Sequence, residues 1–159
     1  MTTHNKVAVI TGGGTGIGKA CALAFIKDGY RVAITGRRPE PLNDTIKEAG
    51  VDSSRMIGVP TDVGNPDAVK ALFAKVKSAF GRIDVLFNNA GQNAPGVPFE
   101  DLPWEKWKSV TDTNMNGMFL CAQEAYKMMK DQNPRGGRII NNGSISAHAP
   151  RPDSAPYTT

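Results

Sequence analysis

Thr11-Gly12-Gly13-Gly14-Thr15-Gly16-Ile17-Gly18 is the stretch of this sequence whose residue types best suit an anion. Glycine accepts positive φ and lets bare backbone approach a ligand, so five glycines in seven residues can form a tight turn lined with N–H groups. A helix starting near Gly16 would aim its first amides and its partial positive charge at the same point, which suits a pyrophosphate. The pattern is T-G-x-x-x-G-x-G, distinct from the G-x-G-x-x-G dinucleotide fingerprint, and no Gly-Lys-Ser/Thr follows to make a P-loop. A plain flexible turn is the competing reading. About 20 residues further on, an NAD site commonly carries an acid for the ribose 2′-hydroxyl. Here the chain reads Thr35-Gly36-Arg37-Arg38-Pro39-Glu40. Two guanidinium groups match a 2′-phosphate in charge and in fork geometry, so NADP is expected ahead of NAD. A solvated surface pair is the alternative for Arg37 and Arg38, and Glu40 keeps NAD possible if the turn re-aims it.

These loops need elements to hold them. Apolar, β-branched runs alternate with helical patterns, the mark of βαβ units on a parallel sheet. Strands are expected over residues 6–11, 31–35, 56–60, 83–87 and 137–141, and helices over 16–28, 39–49, 66–80 and 104–130. Pro39 and Pro66 stand at or near a first helical turn, where a missing N–H costs nothing. Right-handed crossovers then give an α/β, Rossmann-type, doubly wound sheet in the order 3-2-1-4-5, with ligands at the carboxyl ends of the strands. The 159 residues fit a single dinucleotide-binding domain.

Composition excludes several classes. The net charge is +4, but the basic residues are scattered and aromatics are only 7%, so no nucleic-acid partner is expected. No apolar run reaches the roughly 20 residues that cross a bilayer, so no membrane partner is expected. The opening Met1-Thr2-Thr3-His4-Asn5-Lys6 lacks a secretory signal, and Cys21 and Cys121 lie in helical patterns as reduced core thiols, so a cytoplasmic protein is expected. No metal site is expected.

With the glycine loop in place, Asn88-Asn89-Ala90-Gly91 after the fourth strand makes the whole chain resemble a short-chain dehydrogenase/reductase of the compact branch, similar to its 3-oxoacyl-ACP reductase-like members. The resemblance implies a cofactor loop of Gly12, Gly16 and Gly18 with Thr15 and Ile17 alongside. It implies Asp62 and Val63 at the adenine, and Asn89, Ala90 and Gly91 lining the cofactor. Read from the residues alone, Asp62 is also a candidate cap for the helix at Pro66. An extended-branch sugar-nucleotide epimerase fits less well, because its glycine spacing is usually T-G-x-x-G-x-x-G.

The family's active site is an Asn-Ser-Tyr-Lys set. Asn114, in Asp112-Thr113-Asn114-Met115-Asn116-Gly117, matches the Asn motif. Periodicity agrees: Trp107, Val110, Asn114, Met118 and Ala122 form one helical stripe, and an amide on an apolar stripe needs partners. Met115, Met118, Met128 and Met129 read as core filling. Ser144 matches the family serine and Tyr157, thirteen residues later, the tyrosine; Ser146 reads as a turn-capping hydroxyl and His148 as a rim residue. The resemblance implies hydride transfer between a nicotinamide (NADPH favoured) and a carbonyl or secondary alcohol, in a homo-oligomer, dimer or tetramer. Phe99, Trp104 and residues 92–98 are candidates for the pocket rim.

The family's lysine stands four positions after its tyrosine, beyond Thr159, and strand 137–141 would be left with an uncovered apolar edge. The sequence therefore looks cut, with later strands absent. As they stand, the 159 residues are expected to lack the group that lowers a phenol's pKa from about 10. The competing reading from another class is a dinucleotide-binding module without turnover.

Overall fold

The chain folds in the order β1 (Val7–Thr11), α1 (Gly16–Lys27), β2 (Arg31–Gly36), α2 (Pro39–Ala49), β3 (Met56–Pro60), α3 (Pro66–Phe80), β4 (Val85–Asn88), α4 (Trp104–Thr111), α5 (Gly117–Asp131), β5 (Arg138–Asn141) and α6 (Ala155–Thr158). The computed structural model describes residues 5–93 and 96–158. Residues 1–4, Ala94 and Pro95 (the last two within the expected rim segment 92–98) and Thr159 lie outside them.

All five strands are parallel, in the order β3-β2-β1-β4-β5. β1 is buried along its whole length, because helices cover both faces of the sheet and leave its alternating side chains two cores to enter. Val7 and Val9 point into one, with α3 (Leu72, Phe73, Val76) and α5 (Cys121, Ala125). Ala8 and Ile10 point into the other, with α1 (Ala22, Ile26) and Leu42 of α2. After β3 the chain returns to the other side of β1 to lay down β4, so the strand order reverses at β1. In open α/β sheets the crevice at the carboxyl ends of the strands flanking such a reversal is where ligands bind. Among the described residues, no helix is long and apolar enough to cross a membrane.

Three expectations change. Residues 104–130 are not one regular helix: a π-helical turn, Asp112–Asn116, separates α4 from α5. Asp112 sits in that turn with Lys108 Nζ and Asn116 Nδ2 on its carboxylate. Gly117 then lets α5 approach β3's end, where an added Cβ would lie 2.7 Å from Val63 Cγ2. The cap of α3 is Asn65, whose Oδ1 accepts from Asp67 N and Ala68 N at 3.0 and 3.1 Å, while Asp62 Oδ1 accepts from Gly64 N. Asp62 is therefore no helix cap; it closes the turn just before one. Finally, Met115 is not core filling. The core-facing line of α5 is Gly117, Cys121, Ala125 and Met129, whereas Met115 is exposed and Met118 and Met128 are half-buried.

Strand β4 begins at Val85 rather than at the expected Ile83. Just before it, the Asp84 carboxylate accepts from Val7 N and from Arg82 Nε and Nη2 at 2.7–2.9 Å, tying β1 to β4 at their starts. Cys21 and Cys121 are both free thiols; Cys121 is buried, and that burial pushes its pKa up to about 12.

Candidate active site

The first strand ends in Thr11, whose side chain organises the crevice. Its Oγ1 accepts from both Asn89 N and Ala90 N at 2.9 Å, and its carbonyl accepts from Asn89 Nδ2 at 3.1 Å. Asn142 Nδ2 in turn donates to Asn89 Oδ1, 3.0 Å away, so the loops after β1, β4 and β5 are bonded to one another. Next to them, Asn88 Nδ2 donates to Asn141 Oδ1 and to the Met118 carbonyl, joining β4 to β5 and α5. Asn89, half-buried, is thus bound through both its amide nitrogen and its amide oxygen, whereas the buried Asn88 uses only its nitrogen and its Oδ1 has no partner among the described residues.

The glycine loop closes against this scaffold. A Cβ on Gly18 would sit 2.2 Å from the Gly12 carbonyl oxygen, so α1 can pack this close only with glycine there. Gly16 has φ +54°, and the cap residue Thr15 makes no side-chain bond to the helix amides. The first N–H groups of α1 are thus left without a side-chain cap at the mouth of the crevice, the arrangement that takes an anionic ligand.

Asn114, in the π-helical turn, makes a paired bond to the backbone of one residue: Oδ1 accepts from Gln92 N at 2.8 Å and Nδ2 donates to Gln92 O at 2.9 Å. This locks the loop that leaves β4 against the α4–α5 junction. π-helical turns are rare and gather at functional sites. Ser144 follows β5, and its Oγ accepts from Ser146 N at 3.1 Å. The capping hydroxyl in this turn is therefore Ser144, not Ser146 as expected. Ser146 is buried instead and accepts from Arg151. His148 is exposed just after the turn.

One cleft of about 550 Å³ is lined by Gly12, Thr15, Gly16, Ile17, Asn89, Ala90, Gly91, Asn114, Ser144 and Tyr157, with Gln92, Asn93, Met118, Asn142, Gly143 and Ala147 completing the wall; Met118, expected in the core, thus faces the cleft. A smaller hollow of about 280 Å³ shares Gly12 and Thr15 with it and continues to Arg37, Arg38, Pro41 and Leu42. Glu40 is exposed on the first turn of α2 and lines neither space. Among the described residues no ion pair engages Arg37 or Arg38. Gly18 lies behind the loop rather than on the wall. Asp62 and Val63 also line neither space: Asp62 is exposed and Val63 is buried against Gly117. A third hollow, of about 360 Å³ between α3 and α5, contains none of these residues.

Residues 6–159 match the family described as short chain dehydrogenase. The chain belongs to the short-chain dehydrogenase family. An uncharacterized oxidoreductase of Escherichia coli (strain K12), YohF, is 40% identical over 155 residues, 96% of this chain and 60% of that protein. The 3-oxoacyl-[acyl-carrier-protein] reductase FabG of Staphylococcus aureus is 36% identical over 96% of this chain and 61% of its own. The crystal structure of 3-ketoacyl-(acyl-carrier-protein) reductase from Brucella melitensis, complexed with NADH, superposes with a TM-score of 0.91 at 29% identity, covering 98% of this chain and 64% of that one. This short-chain dehydrogenase chain thus spans about 60% of the length of the curated relatives it matches.

Within the family fold, the expected site residues of this chain divide by position. Gly12, Thr15, Gly16, Ile17, the Asn89–Gly91 corner, Asn114, Ser144 and Tyr157 share one cleft, whereas Gly18, Asp62, Val63, Arg37 and Arg38 do not line it. Of the expected rim segment 92–98, Gln92 and Asn93 line this cleft, whereas the sequence pointed to no site role for the Thr11 side chain, Asn142 or Arg151. Thr11 and Asn142 carried a signal, since each is a hydrogen-bonding residue at or just after the carboxyl end of a strand. Arg151 carried none.

Proposed function

We propose that this chain carries the cofactor-binding half and three active-site residues of an oxidoreductase that moves a hydride between a nicotinamide dinucleotide, NADPH in preference to NADH, and a carbonyl or secondary alcohol. The observation that carries this reading is the convergence of an uncapped helix start, an Asn-bridged loop, a serine and a tyrosine on one cleft. The residues present fit the dinucleotide: the α1 amides and the Gly16 backbone suit its pyrophosphate, and Arg37 with Arg38 suits a 2′-phosphate. By the family resemblance, Asp62, exposed just after β3, and Val63 are proposed to stand at the adenine.

When bound, the nicotinamide supplies or accepts the hydride. The remaining chemistry belongs to this chain. Because Ser144 Oγ already accepts from Ser146 N, its own proton is available to the substrate oxygen. The Tyr157 hydroxyl gives a proton to that oxygen in reduction and takes it back in oxidation. Asn114 holds the Gln92 peptide and so the wall of the cleft. A cytoplasmic homo-oligomer, dimer or tetramer, completes the proposal.

The test pairs binding with turnover. NADPH fluorescence titration should give saturable binding, and a panel of ketones should be reduced at a rate that Tyr157→Phe and Ser144→Ala each lower by about 100-fold, the usual scale of positioned acid–base and hydrogen-bonding groups. Binding with no turnover on any carbonyl or alcohol would leave a dinucleotide-binding module. No binding at all would sink both.

A further inference from the structure

Ser144 and Tyr157 come from different turns, and a single side chain joins those turns. Arg151 donates from Nε and Nη2 to Ser146 Oγ at 3.2 and 3.1 Å, and Ser146 is only 1% exposed. On its other side the guanidinium carbon lies 5.4 Å from the centroid of the Tyr157 ring, within cation–π range. The backbone repeats the link: the Arg151 carbonyl accepts from Ser154 Oγ at 2.7 Å, and the Ser154 carbonyl accepts from Tyr157 N at 3.0 Å. Ser146 N, finally, donates to Ser144 Oγ. An unbroken chain of contacts therefore runs from the Ser144 hydroxyl through Ser146 and Arg151 to the Tyr157 ring.

We infer that Arg151 is a positioning residue that sets the Tyr157 ring relative to the Ser144 hydroxyl; the inference rests on the oxidoreductase reading above. An arginine on an exposed loop ordinarily keeps its head group in water, because holding a long side chain in one geometry costs entropy. Here both ends of the guanidinium are engaged, one by a buried hydroxyl and one by an aromatic face. A hydroxyl buried to this degree is costly to leave unpaired, so the fork is retained. The ring cannot rotate away from the cleft without giving up its cation. Two groups that must reach one substrate oxygen at once gain most from such a brace, since small misplacements cost large factors in rate.

The experiment compares Arg151→Met, Arg151→Lys, Ser146→Ala and their Met/Ala double variant in the full chain, with Tyr157→Phe as reference. At saturating NADPH, Arg151→Met and Ser146→Ala should each lower kcat about 10-fold on a reducible ketone, while the NADPH Kd stays within about twofold. The double variant should be no slower than the slower single, because both break the same brace. Arg151→Lys keeps a cation at the ring without the fork and should fall between wild type and Arg151→Met. Amide hydrogen exchange reads the same coupling without turnover: Arg151→Met should speed exchange at Ser146 and at Tyr157 together. Unchanged kcat in both single variants, additive losses, losses matched in NADPH affinity, or unchanged exchange would overturn the brace. A Tyr157→Phe variant at the wild-type rate would instead overturn the reading of the active site.

Discussion

Arg37 and Arg38 carry the difference between two cofactors that differ by one phosphate. They line the hollow that continues from the glycine loop, and no acid among the described residues forms an ion pair with them. A charge-assisted hydrogen bond to phosphate contributes about 1.5–3 kcal/mol, so Arg37→Asp should weaken NADPH by about 10- to 100-fold and improve NADH, whose ribose hydroxyl can donate to the new carboxylate. Fluorescence titration of both dinucleotides checks it, and unchanged affinities would remove the 2′-phosphate assignment. Cys121 supplies a second residue-level expectation. Its thiol is buried and its pKa is raised to about 12, so at pH 7–8 iodoacetamide should leave it unmodified until the chain unfolds. Peptide mapping before and after urea distinguishes the two states. The positive φ of Gly12 and Gly16 was readable because residue type alone limits what backbone can stand there, whereas Asn89 and Tyr157 were pointed to only by the family resemblance. The pairing of the serines was unreadable: which of Ser144 and Ser146 caps the turn depends on Arg151, five residues away, folding back onto Ser146.

Elements here are joined by a few polar staples whose protonation can be varied. Burial works against the Asp84 carboxylate, but the Arg82 side-chain bonds, the Val7 N–H and nearby positive charge outweigh it and hold its pKa below the usual carboxylate range. A folded-state pKa below the unfolded value of about 3.9 means that this staple stabilises above pH 4 and is lost as pH falls through the lower, folded value. Asp84→Asn should therefore cost about 2 kcal/mol at pH 7 and flatten the fall in urea midpoint below pH 4. An acid limb as steep as that of the wild type would mean other carboxylates dominate. Gly18→Ala tests the packing of α1 on its own loop: with the Gly12 carbonyl 2.2 Å from the new Cβ, the helix must move, and NADPH binding should fall with stability. The strand and helix order was legible because apolar runs and caps are local signals, as at Pro39, Pro66 and the glycines after β1. The break at Asp112–Asn116 was not expected, because the apolar periodicity from Trp107 to Ala122 runs through it, although Asp112-Thr113-Asn114 and Asn116-Gly117 are weak helix formers. Its visible partner is the Asn114 bond to Gln92, twenty-two positions away in sequence.

At the scale of the whole molecule, apolar surface is distributed unevenly. β1 and β2 are sealed between two cores, yet all four residues of β5 are exposed, with Ile139 at 38% and Ile140 at 47%. Beside that strand, Met115 and Phe119 of the neighbouring helical turns stand 54% and 62% exposed, and they share a hollow of about 450 Å³ with Asn141, Pro156 and the site residues Asn114 and Tyr157. An unpaired strand edge next to exposed apolar side chains favours contact with another copy. The net charge of +4 opposes it through like-charge repulsion, which salt screens within about 10 Å at 0.1 M. Prepared as these 159 residues, the chain should therefore self-associate with rising concentration, and more so in 0.5 M than in 0.05 M NaCl. Sedimentation velocity measures both dependences. Ile139→Lys and Ile140→Lys place a charge on opposite faces of β5, because successive strand residues alternate. If sheet-face burial drives association, only one of the two should restore a monomer, and that one identifies the face. If edge pairing drives it, both should weaken association to a similar degree, since a lysine blunts a strand edge wherever its side chain points. A chain that stays monomeric in high salt at every concentration would show that the exposed isoleucines on β5 do not create an association surface by themselves.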